Sequence, residues 1–212
     1  MSSPDAIPSP QRGLAREPLT LEQLAARLTE RFAGLTTDVL RGELTVFVPP
    51  EQLLDVVTFC REDEELSCEL LSDLSGVHWP KGEHVVERQV STTGWPDYRV
   101  SREQGVIEVC YILRSVTRNH WVRLSVGVDD EEPRLPSVTG VYRTANFHER
   151  EVFDFFGVEF DGHPNLRRIL MPDDWVGHPH RKDYPLGGVD VDYKHDKHIP
   201  PPDERDLREV VE

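Results

Sequence analysis

Leu21, Leu24, Leu28 and Phe32 recur at helical spacing, and Thr20 with Gln23 stands just ahead of them as a capping-box pair. The spacing predicts a first helix, with Gly34 as its C-terminal cap. Short apolar runs at Thr37–Leu40 and Leu44–Val48, joined across Gly42, predict two strands. Pro49 and Pro50 end the second strand, and Pro50 suits the first turn of a helix. Leu53, Leu54, Val56, Val57 and Cys60 form the expected buried stripe of that helix.

Three further strands are expected. Cys68, Leu70 and Leu74 alternate with polar residues, and Val106–Leu113 is a dense β-branched and aromatic run suited to a central strand. His120–Val128 sets Val122, Leu124, Val126 and Val128 against Arg123 and Ser125, so one of its faces is expected to be wet. Lys81–Gln104 is polar and reads equally as a long excursion or a small hairpin. The order α-β-β-α-β-β-β predicts an α+β fold: two layers, a mixed sheet, and helices on one face. A helix, an irregular motif segment and an extended C-terminal arm follow. The expected divisions are a flexible arm over 1–19, the α+β domain over 20–135, a signature segment over 136–185 and an acidic arm over 186–212.

Within the signature segment, Asn146 with Glu149 three residues later is expected to cap a helix ending at Gly157, with Val152, Phe153 and Phe156 as its apolar stripe. Arg150 and Asp154 stand four apart, and Glu151 and Asp154 three apart, so these charges are expected to form an ion-pair network.

Composition narrows the function. A chain of 212 residues can bury a sizeable core without staples. Its net charge of -15 argues against nucleic acid, which needs a basic stripe. No apolar run approaches the roughly 20 residues of a membrane span, and Met1–Pro18 has no signal-peptide character. The expectation is a cytoplasmic chain that meets a membrane only through partners. The three cysteines, Cys60, Cys68 and Cys110, form no C-x-x-C pair and read as buried thiols rather than cluster ligands.

Sharper chemical readings find little support in the spacing. His163, His178 and His180 with the neighbouring aspartates could be drawn as a metal site, but His163-Pro164 and His178-Pro179 read as extended backbone before proline. Arg167 and Arg168, adjacent in an extended run, point to opposite faces and do not make a shared anion clamp. No strand–GxGxxG–helix pattern suggests a nucleotide loop.

Three linked blocks carry a family resemblance. The first holds Glu149, Arg150, Glu151, Asp154 and Gly157; the second Gly162, His163, Pro164, Leu166, Arg167, Arg168, Ile169 and Leu170. The third holds Gly177, His178, Pro179, Arg181, Lys182, Asp183, Tyr184 and Pro185. Together they resemble the signature of the C-subunit family of proton-pumping NADH:quinone oxidoreductase, respiratory complex I. Tyr142 and Phe147 depart from it, standing where the family often has tryptophan.

The resemblance implies a non-catalytic structural and assembly subunit of the complex's cytoplasmic arm, peripheral on the cytoplasmic side of the cell membrane. FMN and the iron–sulfur clusters would reside in partner subunits, with no cofactor, metal or catalytic residue in this chain. The implied partners are a subunit resembling a hydrogenase large subunit and the neighbouring iron–sulfur subunits. Electrons would pass from NADH to quinone through the complex, coupled to proton translocation. The alternatives are an equivalent subunit of a membrane-bound hydrogenase-type complex, or a small metal-dependent hydrolase built on the His/Asp segment.

Overall fold

A computed structural model describes residues 17–87 and 97–185. The expected C-terminal arm, most of the N-terminal arm and residues 88–96 lie outside the described residues. The chain divides into two compact units, Met1–Lys182 and Asp183–Glu212.

Helix α1 (Leu21–Arg31) starts as its sequence requires: the Thr20 hydroxyl accepts from the Gln23 amide, and the Gln23 side chain accepts from the Thr20 amide. Leu24 and Leu28 are buried. The helix closes at Phe32, whose N–H donates to the Leu28 carbonyl, so Gly34 makes a left-handed turn farther on and is not the cap. Strands β1 (Thr36–Leu40) and β2 (Glu43–Phe47) form a hairpin turned by Arg41 and Gly42, both with positive φ, as a tight hairpin turn requires. A short 3-10 turn at Pro50–Gln52 leads into α2 (Leu53–Glu62). Leu53, Val56, Val57 and Cys60 face inward, whereas Leu54 is 41% exposed and off the stripe.

Strand β3 spans Leu70–Trp79, and Lys81–Gln104 resolves into a hairpin of β4 (Gly82–Glu87) and β5 (Asp97–Arg102). Strands β6 (Val106–Ser115) and β7 (His120–Asp129) follow. The sheet order is β1-β2-β7-β6-β3; β2 and β7 pair parallel, and the other pairs are antiparallel. In β3 the expected inward set is Cys68, Leu70 and Leu74, but a bulge between Leu71 and Asp73 shifts the alternation. Leu71 and Leu74 therefore both face the core and Leu70 faces out.

Ile107, Val109, Tyr111 and Leu113 of β6, with Val122, Leu124, Val126 and Val128 of β7, form the floor of a single core. The α1 and α2 stripes cover one half of it. A third helix, α3 (Ala145–Phe156), covers the other: the Phe156 ring lies 2.7 Å from where a Cβ on Gly76 would sit. The three α-helices of the described residues thus lie on one sheet face, as expected. The opposite face is mixed: Trp79 Nε1 donates to Glu108 at 2.7 Å, and Arg123 pairs with Glu43 at 2.8 Å. The sequence pattern did not reveal β8 (Arg134–Pro136) and β9 (Glu159–Asp161), three-residue strands paired parallel to each other. They bracket α3 and pair the segment before it with the segment after it.

Candidate functional site

Glu149, Arg150 and Asp154 lie on α3, and His163, Arg168 and His178 gather against it. The expected Asn146–Glu149 capping box does not form: the helix begins at Ala145, after Thr144, with no side-chain cap. Glu149 instead points into the core, where Val138 N–H donates to Oε1 and the Ser137 hydroxyl donates to Oε2, each at 2.7 Å. Its carboxyl is fully buried, and no guanidinium or ammonium pairs with it among the described residues. Burial pushes its pKa up to about 7, while the two hydrogen bonds act the other way. The Tyr111 hydroxyl is also buried without a hydrogen-bond partner among the described residues, and burial and the Glu149 charge both raise its pKa.

His163 Nε2 lies 3.9 Å from Glu149 but is bonded to the Asn146 carbonyl at 3.1 Å, while Asn165 N–H donates to Nδ1. Both ring nitrogens are thus engaged by backbone groups at hydrogen-bond distance, closer than the carboxylate. The ring's work is to tie the loop after β9 to α3.

Asp154 is the second inward carboxylate, and its surroundings differ. Arg168 Nη1 donates to Oδ1 at 2.7 Å, while the backbone amides of Ile169, Leu170 and Met171 donate to Oδ2 at 3.0, 2.8 and 2.9 Å. Burial alone would raise its pKa, but three amides and a guanidinium outweigh burial and hold it below the usual carboxylate range. The Asp154 backbone carbonyl also accepts from His178 Nδ1 at 3.0 Å, and Arg168 Nη2 donates to the Gly177 carbonyl at 2.9 Å. One residue thus joins all three signature blocks.

The expected ion-pair network along α3 is overturned. Asp154 pairs across the fold with Arg168, not along the helix with Arg150. Arg150 donates to the carbonyls of Arg167 and Arg168 at 3.1 and 3.2 Å, and Glu151 is exposed. The reason is geometric: β9 and the following loop return over α3, so inward carboxylates meet loop amides before they meet helix neighbours. Arg167 is exposed and Arg168 inward, as the extended run implied.

Gly157 adopts φ 81° and ends α3; a Cβ there would lie 2.7 Å from His178 Cδ2 and Nε2. His180 stacks on Phe155 with ring centroids 3.9 Å apart. Arg181 Nη2 donates to the Asp130 carbonyl at 2.8 Å, and Lys182 N–H donates to Nδ1 of buried His78, whose Nε2 meets Asp130 at 2.9 Å. Asp183 and Tyr184 belong to the second compact unit.

Among the described residues, no three histidine, cysteine or acidic side chains gather where they could hold a metal. His163 and His178 are each committed to backbone, and His180 is stacked on an aromatic ring. Cys60 and Cys68 are buried as expected, whereas Cys110, on the mixed sheet face, is only partly so; burial raises the Cys60 thiol pKa and lifts those of Cys68 and Cys110 to about 12.

The family described as "Respiratory-chain NADH dehydrogenase, 30 Kd subunit" matches residues 46–190, a span covering every signature block. The chain belongs to this family. It is 50% identical to the C subunit of NADH-quinone oxidoreductase from Acidothermus cellulolyticus over 80% of this chain and 77% of that one. It is 48% identical to the same subunit from Mycolicibacterium gilvum over 78% of this chain, although the match spans only 64% of that relative. Among solved structures, a trypsin-resistant fragment of Nqo5 superposes with TM-score 0.51 at 28% identity, covering 69% of this chain and 98% of the fragment. A chain of the membrane-bound sulfane sulfur reductase, described as an archaeal respiratory membrane complex, gives TM-score 0.59 at 25% identity over 78% of this chain and 85% of that one. Family membership makes this chain one component of a hetero-oligomeric oxidoreductase. Among the described residues no helix is long and apolar enough to cross a membrane.

Proposed function

We propose that this chain is a non-catalytic structural and assembly subunit of the cytoplasmic arm of a proton-translocating NADH:quinone oxidoreductase. In this reading it docks beside a subunit resembling a hydrogenase large subunit and the adjoining iron–sulfur subunits, on the cytoplasmic side of the membrane. FMN and the clusters belong to those partners. Electron transfer from NADH to quinone is the activity of the assembled complex.

The observation that carries the reading is how Asp154 is used. A general acid or base, or a metal ligand, needs a lone pair or proton facing a substrate space. Asp154 spends both oxygens on a guanidinium and three amides inside its own fold, and the signature histidines are bound to backbone or stacked. Residues arranged this way hold a surface in shape. Glu149, Arg150, Asp154, Gly157, His163, Arg168 and His178 build the scaffold. Glu151, Arg167, Arg181, Lys182, Asp183 and Tyr184 remain candidates for contact with partners. The relatives' names favour the quinone-linked complex over the hydrogenase-type alternative.

The test is to tag the full chain in its own cells, solubilise the membranes gently and identify what co-purifies. Stoichiometric flavin- and cluster-bearing subunits with NADH:quinone activity are expected. Recovery of the chain alone, or with hydrogenase subunits lacking NADH activity, would refute the reading.

A further inference from the structure

Beside the first turn of α3 lies an open groove of about 820 Å³, bounded by α2, the end of β8 and the loop after β9. Leu54, Phe147 and Pro164 line it, with Phe147 62% exposed and Leu54 41% exposed. A phenylalanine this open on the outer side of a helix has no core to serve. Arg143 stands on the groove wall, exposed, and its side chain makes no hydrogen bond or ion pair among the described residues. Asp161, the one acidic side chain lining the groove among the described residues, is already paired with Arg134 at 3.1 Å. The groove therefore presents apolar surface beside an uncompensated cation, on a chain of net charge -15.

Its walls are fixed beforehand. Glu149 holds Ser137 and Val138 on one side, and His163 ties the loop carrying Pro164 to the Asn146 carbonyl. A surface held in its final shape loses little freedom when a partner arrives.

We propose that this groove receives a segment of another subunit of the complex, which inserts a large apolar side chain between Leu54, Phe147 and Pro164 and sets a carboxylate against Arg143. This rests on the function proposed above and names a surface for it. Charge complementarity selects the occupant: Arg143 calls for an acidic partner, and a two-fold pairing of two copies through this patch would bring like arginines together.

The experiment places a photo-crosslinking amino acid at position 147 of the tagged full-length chain in its own cells. A cross-link to another subunit, at a peptide combining an apolar residue with Asp or Glu, is expected. In parallel, complex abundance on native gels is measured for Arg143→Glu, Phe147→Ser and the control Val116→Ser, the last at a position 65% exposed and outside the groove. The first two should lower abundance at least five-fold, Arg143→Lys should restore most of it, and the control should match wild type. Thermal midpoints of the isolated variants report whether any loss reflects folding, and the cross-link stands independently of them. A cross-link to a second copy or to residues 186–212 of the same chain, or unchanged abundance in both groove variants, overturns the proposal. If wild-type chain recovers no partner subunits, the functional reading fails instead.

Discussion

The Asp154 carboxylate and the Arg168 guanidinium meet at 2.7 Å, with the carboxylate fully buried and the arginine side chain 15% exposed. The second oxygen of the same carboxylate takes three successive backbone amides from the loop that Arg168 begins. One side chain thus fixes a segment that has no helix or strand of its own.

The two partners should not be equivalent on mutation. Asp154→Ala strands a guanidinium and three amides and should cost about 3–5 kcal/mol. Arg168→Ala leaves the three amides on the carboxylate and should cost about 1.5–3 kcal/mol. Urea unfolding of the isolated chain checks the order; equal losses would mean that the amides contribute little.

Glu149 and Asp154 should push stability in opposite directions with pH. The Glu149 carboxyl binds its proton more tightly in the fold, at about 7, than at its ordinary 4.5. Its stabilising contribution is therefore full below that ordinary value and is lost as pH rises through about 7, by as much as about 3 kcal/mol. Asp154 is held below its ordinary 3.8, so its contribution is present above that value and is lost in acid. Melting from about pH 4.5 to about pH 7.5 should show wild type weakening while Glu149→Gln stays nearly flat. Parallel curves would place the titrating group elsewhere.

Gly157→Ala should destabilise the signature corner on two counts. Its left-handed backbone disfavours a side chain by about 1–2 kcal/mol. The new methyl would also meet the His178 ring at 2.7 Å and loosen the bond from His178 to the Asp154 carbonyl. Hydrogen exchange should quicken at the His180 and Arg181 amides, which donate to the Phe155 and His178 carbonyls. Unchanged protection there would show that the ring moves aside freely.

Thiol chemistry should be slow in the native chain. Cys60 and Cys68 are buried, and burial raises all three thiols, with Cys68 and Cys110 near 12. Iodoacetamide at about pH 8 should label Cys60 and Cys68 only after denaturation, because the thiolate is the nucleophile. Rapid native labelling of either would contradict the buried placement.

The periodic parts of this chain are legible from residue spacing alone. The Thr20–Gln23 cap, the α1 and α2 stripes and the alternation in β6 and β7 each depend on residues a few positions apart, so local spacing determines them. Gly157 is legible for the same reason, since the end of α3 calls for a left-handed residue. The family is legible too, through three blocks of fixed spacing. Tertiary structure decided whatever depends on a distant partner. The bulge that turns Leu70 outward and Leu71 inward is a matter of register against β6. The three-residue strands β8 and β9 are too short to carry a period and exist only because they pair. Glu149 and Asp154 look like parts of a helical ion-pair network because spacing records which charges are neighbours on a helix, and not which lie on its buried side. Once the loop after β9 folds back over α3, Asp154 meets amides that no helix could offer it, and Glu149 is left in the core with a hydroxyl and one amide.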